Sequence, residues 1–216
     1  MMSLSDFVKD CWNYYLILES DFTDISRYIA FEEHNKDSYS IEFSKQIQSI
    51  CSEIDVVCKL YCELLDPTKK CGNIKDYANI ILLENQIITN AEVKCDGFNI
   101  QPWKDWKCDH NDYGNGNNPL NVSPSWWNSY NNIKHYRLNI CKSTGLHNYK
   151  KSNLLNTITS LAALYILEMN MYKELAEKSN NNITKPSNES RFFRYVDWET
   201  HITPLGNGAV LTSIQV

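Results

Sequence analysis

Apolar positions recur along the first half of the chain at intervals of three and four, which predicts amphipathic helices rather than strands. Phe7, Cys11, Tyr14 and Tyr15, Leu18, Phe22 and Ile25 mark a first helix over residues 4 to about 29. A short polar linker follows, and Ser40 is placed to cap a second helix that carries Phe43, Ile47, Ile50, Cys51, Ile54, Val57, Cys58, Tyr61 and Leu65 and stops at Asp66-Pro67. Asn73 with Asp76 three residues on is a capping signal for a third helix, residues 74 to about 89. The pattern then changes. Residues 91–122 hold Cys95-Asp96-Gly97-Phe98, two tryptophans and the turn-rich run from Tyr113 to Pro119, which predicts a small β-hairpin and a loop.

Helical spacing returns at Ser123-Pro124, a start signal for the helix bearing Ser125-Trp126-Trp127-Asn128-Ser129-Tyr130-Asn131-Asn132-Ile133-Lys134-His135-Tyr136-Arg137. On a helical wheel Trp126, Trp127, Tyr130 and Ile133 form an apolar arc, and Asn128, Asn131, Asn132 and His135 form a polar stripe. Lys134 and Arg137 fall inside the apolar arc, where a long cationic side chain must reach past its neighbours to water or meet a carboxylate. Two acids point in apolar directions: Glu53 lies between the directions of Leu60 and Leu64 on the second helix, and Glu168 interrupts the run from Leu161 to Met169. An interior ion pair of Lys134 or Arg137 with Glu53 or Glu168 is therefore expected. The helix carrying Glu168, capped by Ser152 and reaching Lys178, is apolar almost all round and belongs at the centre of a bundle. Residues 179–188 read as an Asn-rich loop, and residues 191–198 alternate like a strand. The fold class expected is mainly all-α, an up-and-down helical bundle with a β-hairpin insertion and a short C-terminal strand or tail. Residues 1–178 form the bundle, with the insertion at about 91–122, and residues 179–216 extend the same domain.

Composition adjusts this picture in three places. A chain of 216 residues can bury a substantial core as one domain. It has no stretch of about 18 apolar residues and no basic, then apolar, N-terminal leader, so a cytoplasmic protein with no membrane partner is expected. Eight cysteines are modest for this length, and Cys51, Cys58 and Cys62 share an inner helix face, which predicts reduced core thiols. Cys95, Cys108 and His110 lack the close ligand pairs of a zinc site, so no metal and no cofactor are expected. The net charge of −5 argues against a general nucleic-acid binder, yet no acid occurs between Asp112 and Glu168. That window carries Lys134, Arg137, Lys142, Lys150 and Lys151 with His135 and His147, a basic region inside an acidic protein that reads either as a solvated loop near helix ends or as a phosphate-facing surface.

The order of helices, the Asn131-Asn132-Ile133-Lys134-His135 sequence and the Ala162-Ala163-Leu164 helix after it resemble HEPN-domain proteins. That resemblance implies a helical bundle that dimerises through these helices and a metal-independent RNase site at the dimer cleft, in a protein of defence or toxin type (phage defence or a toxin–antitoxin pair). His135 matches the family's His and Asn131 its polar residue. The family's Arg has no counterpart, because Asn128, Ser129 and Tyr130 occupy the positions at the corresponding spacing.

Metal-independent RNA cleavage needs a group that moves the 2′-hydroxyl or leaving-group proton and a cation for the charge on phosphorus. His135 fits the first role, with Asn131 beside it, and Lys134, Lys142 or a residue of a partner subunit is the candidate for the second. Asn128, Arg137 and Lys142 are candidate binding residues. The partners expected are RNA and a second copy of the chain. The alternative is a non-catalytic interaction or dimerisation module in which Asn128, Asn131 and His135 line a binding surface, or a small-molecule or nucleotide-binding bundle.

Overall fold

A computed structural model describes residues 2–108, 123–142, 144–182 and 185–198. The chain is mostly helical, with one small three-stranded antiparallel sheet. The loop of residues 113–119 and His110 lie outside the described residues.

Helix α1 (Leu4–Phe7) runs through a π-helical turn, Val8–Trp12, into α2 (Asn13–Asp24). Phe7, Cys11 and Tyr15 are spaced four apart, an interval that drifts around a 3.6-residue helix, and the wider turn keeps all three buried. Helix α3 (Ile41–Leu65) starts where the Ser40 side chain accepts a hydrogen bond from the Phe43 amide at 3.0 Å, and its apolar stripe is buried as the periodicity predicts from Phe43 to Tyr61, while at its end Leu64 is buried and Leu65 only partly so. Helix α4 (Ile74–Glu84) is capped by Asn73, which accepts from Lys75 and Asp76, but ends sooner than its periodicity suggested; residues 86–90 tighten into a 3-10 turn.

Helix α5 (Ser125–Tyr136) has Pro124 in its cap position, one residue later than expected, and the Ser123 carbonyl instead accepts from the Asn128 side chain at 3.3 Å. Helix α6 (Leu154–Lys178) is capped by Asn153 rather than Ser152, through a 2.9 Å bond from the Asn156 amide. It is the central helix: every residue from Thr157 to Tyr172 except Thr159 is buried. Among the described residues no helix is long and apolar enough to cross a membrane.

Strands β1 (Val93–Cys95) and β2 (Phe98–Ile100) form the expected hairpin, turning at Gly97, whose φ of 74° favours glycine. Within the alternating 191–198 segment only β3 (Arg194–Tyr195) pairs, and it pairs with β1, so the sheet order is β2-β1-β3.

Four tryptophans fasten these layers, each burying its ring while its indole N–H reaches a backbone carbonyl. Trp12 donates to Asn188 at 2.7 Å, Trp103 to Ala163 at 3.1 Å, Trp106 to Ile74 at 3.1 Å and Trp126 to Pro102 at 2.7 Å. Trp103 and Trp126 meet edge to face at 5.2 Å, which seats the start of α5 against the segment after the sheet. The eight cysteines are thiols, four of them (Cys11, Cys51, Cys58 and Cys62) in the core.

Candidate functional site

The apolar arc of α5 is narrower than the wheel suggested. Trp126, Trp127, Tyr130 and Ile133 are buried, and every residue from Lys134 to Ile140 is exposed. The expected ion pair is therefore absent: neither Lys134 nor Arg137 meets Glu53 or Glu168, and among the described residues neither cation forms a salt bridge. Lys134 lies just past the buried edge of the helix, with its Nζ 5.4 Å from the Tyr130 ring centroid, and the last turn stands clear of the core.

What this turn builds is a cavity of about 370 Å³ lined by Gln48 of α3 and by Ile133, Lys134, His135, Tyr136, Arg137, Leu138 and Asn139. Three nitrogen-bearing side chains, those of Lys134, His135 and Arg137, thus converge on a space whose α3 wall supplies a neutral amide. Neither this cavity nor the groove beside it is lined by a carboxylate. The His135 ring lies 6.1 Å from that of Tyr136, and among the described residues no hydrogen bond fixes it. Asn128 and Asn131 are half-buried on the same ridge one and two turns back and do not line the cavity; the Asn128 carbonyl accepts from Asn132 at 2.7 Å. Lys142 is exposed on the following connector and lines neither space.

Two aromatic residues at this end, Tyr39 and Tyr149, were not singled out by the sequence, and they organise Lys150 and His147 of the basic window. Tyr39, before α3, is brought beside the connector by a β-bridge to Asn153, and its ring meets that of Tyr149 edge to face at 5.8 Å. Lys150 places its Nζ 5.2 Å from the Tyr39 ring centroid. The His147 ring stacks on Tyr149, and its Nδ1 lies 2.7 Å from the Leu138 carbonyl. Tyr149, Lys150 and His147 fall within the acid-free window, whereas nothing in the local pattern pointed toward Tyr39.

The two carboxylates proposed for the ion pair sit elsewhere, close to each other. Glu168 is fully buried, and among the described residues neither carboxylate oxygen has a hydrogen-bond partner. Burial, and then the charge of Glu53, push its carboxyl well above the ordinary range. Glu53 is half-buried, and burial pushes it up to about 6. The Cys11 thiol in the π-turn is pushed up to about 12 by burial, then by Glu168, Glu53 and Asp10. Three helices thus converge on a carboxyl held neutral by desolvation. Among the described residues no group of three or more His, Cys, Asp or Glu side chains could hold a metal, and the Cys108 thiol donates to the Ala78 carbonyl at 3.2 Å.

No protein-family model, no curated protein and no solved structure matches the chain. Function has to be argued from these residues alone.

Proposed function

We propose that the chain binds RNA across the cationic end of α5 and that His135 moves the proton in a metal-independent cleavage of the bound strand. The observation that carries this reading is the convergence of Lys134, His135 and Arg137 on one solvent-open cavity with no lining carboxylate. Uncompensated cations at an acid-free surface attract phosphate oxygens, and the attraction is strongest where no protein acid competes. Imidazole is the side chain whose proton exchange falls nearest neutrality, so it suits the chemistry. In the cleavage step a base takes the 2′-hydroxyl proton, the 2′-oxygen forms a bond to phosphorus, and the P–O5′ bond breaks. His135, having taken the 2′-hydroxyl proton, hands a proton on to the departing 5′-oxygen, so a 2′,3′-cyclic phosphate and a 5′-hydroxyl result. Lys134 or Arg137 would offset the negative charge that develops on the phosphoryl oxygens.

The HEPN-like form of this reading adds a second copy of the chain, with two α5 ends meeting across a cleft and the partner supplying the cation that the family's Arg would provide. It makes the protein a defence- or toxin-type ribonuclease. A binding-only reading is favoured by one observation: a catalytic imidazole is usually oriented by a hydrogen bond through its other nitrogen, and among the described residues none orients His135, whose ring meets only that of Tyr136.

The test is to titrate a fluorescein-labelled single-stranded RNA with purified protein and then incubate the two in EDTA. Binding should weaken with added salt, and cleavage should leave a 2′,3′-cyclic phosphate. His135→Ala should slow cleavage by at least about 10²-fold while leaving the helical spectrum unchanged. Binding without cleavage selects the binding module, and no binding at low salt ends both readings.

A further inference from the structure

We infer that the apolar groove beside the cationic cavity is a nucleobase subsite, which takes one unpaired base of the strand whose phosphate lies against Lys134 and Arg137. This inference rests on the RNA-binding reading above and adds to it where the base goes and which residues receive it.

The groove has a volume of about 580 Å³ and is walled by Tyr39, Ile41, Leu138 and Tyr149, with Ser40, Ser44 and Arg137 at its edge. Arg137 and Leu138 also line the cationic cavity, so the two spaces share a wall. A nucleotide presents the matching pair of chemistries, an anionic phosphate joined through a sugar to a flat, largely apolar ring. Charge complementarity chooses this occupant over an apolar peptide: Arg137 lines the groove, Lys150 places its Nζ 5.2 Å from the ring of the wall residue Tyr39, and among the described residues neither forms a salt bridge with a carboxylate.

The lining side chains are not needed to hold the fold. Ile41 is 80% exposed, Leu138 71% and Tyr39 47%. The backbone instead fixes the walls, through Leu154 N to Ser38 O at 2.9 Å, Tyr149 N to Arg137 O at 3.0 Å and Ser152 N to Tyr149 O at 3.0 Å. A preformed apolar slot with aromatic and aliphatic faces, kept open by main-chain bonds, suits stacking of an unpaired base, because every base has a π-face. The Ser44 hydroxyl at the edge can meet a polar base edge. Bases inside an A-form duplex are stacked on one another and cannot enter, so the subsite selects single strands.

The experiment compares three probes of equal length by fluorescence anisotropy: a single-stranded RNA, the same sugar–phosphate backbone made abasic, and an RNA duplex. Wild-type protein should bind the single strand about tenfold more tightly than the abasic strand or more, the size of effect a stacked base gives. Tyr39→Ser and Ile41→Ser should each reduce that preference and leave abasic binding unchanged, while Arg137→Ala, which removes a residue of both spaces, weakens both. Ile41→Ser, at the most exposed position, supplies a variant whose folding is not in question. Equal affinity for the RNA and abasic strands, or a preference untouched by these substitutions, overturns the subsite while leaving the RNA-binding reading in place. Failure of all three probes overturns both. If the groove variants change the sedimentation coefficient and not the RNA preference, the groove is a protein contact and the inference is wrong.

Discussion

Glu53 on α3 lies close enough to Glu168 on α6 for its charge to act on the buried carboxyl, and among the described residues neither acid forms a salt bridge. Glu168 is wholly buried with both oxygens unpaired, and the charge of Glu53 adds to the burial that holds its proton. A carboxyl in this position is compatible with the fold only when neutral, because an isolated ionised carboxylate in an apolar interior costs many kcal/mol.

The folded protein should therefore lose stability as pH rises. Both carboxyls bind their protons more tightly folded than unfolded, so their contribution is full below the unfolded value of about 4.3 and is lost as pH climbs through the folded values. Glu53 accounts for the window from there to about 6, and Glu168 extends the loss upward. Glu168→Gln, which keeps the shape without the charge, should raise stability at pH 8 by about 1 kcal/mol or more and flatten the decline in Tm between pH 5 and pH 8. A variant as pH-sensitive as the wild type, or less stable at pH 8, would show that Glu168 is ionised and compensated.

The helices and the unusual placement of these two acids were readable from spacing, because α3 and α6 bury stripes that recur at three and four. Their partners were not. A wheel gives the direction of Lys134 about its own axis but not how far the neighbouring helices extend alongside, and α5 outruns its packing surface by one turn. The groove walls Tyr39 and Tyr149 were hidden for a different reason. They meet through the bridge between Tyr39 and Asn153, a contact across more than a hundred residues that no local period encodes. The π-turn did leave a trace, in the two successive intervals of four from Phe7 to Tyr15.

The C-terminal strap should depend on Glu19. Its carboxylate, nearly buried, accepts from the Tyr15 hydroxyl at 2.5 Å, from the Ser190 hydroxyl and from the Arg191 amide at 3.0 Å. Glu19→Ala leaves these donors without a partner, and each lost bond to a charged acceptor is worth about 1.5–3 kcal/mol. Hydrogen exchange at the Arg191 and Phe193 amides should accelerate, and limited proteolysis should cut within residues 185–198 first. RNA affinity should stay at the wild-type level, because Glu19 lines neither space beside α5. Unchanged protection of the strap would remove Glu19 as its anchor.

Trp126 should matter through both volume and its indole proton. Trp126→Ala is expected to cost about 3–5 kcal/mol, since it opens a cavity against Trp103 and Trp127. Trp126→Phe retains much of the ring but leaves the Pro102 carbonyl unpaired, a loss of about 1–3 kcal/mol. Chemical denaturation of the two variants separates these effects. Equal losses would mean that the hydrogen bond, not packing, seats α5.

Lys134 and Arg137 should contribute to binding and not to folding. Had either been paired with Glu53 or Glu168 in the interior, its removal would strand a buried charge at about 3–5 kcal/mol. As exposed residues without salt bridges, Lys134→Ala and Arg137→Ala should shift unfolding free energy by no more than about 0.5 kcal/mol. Each should weaken single-stranded RNA binding and lower the slope of log affinity against log salt by about 0.7, the change expected when one phosphate contact is lost. Measuring the slope separates a phosphate contact from general surface charge, because the slope counts the counterions released at the site. A stability loss of several kcal/mol in either variant would place the cation back in the core, and an unchanged slope would move the phosphate away from the α5 end.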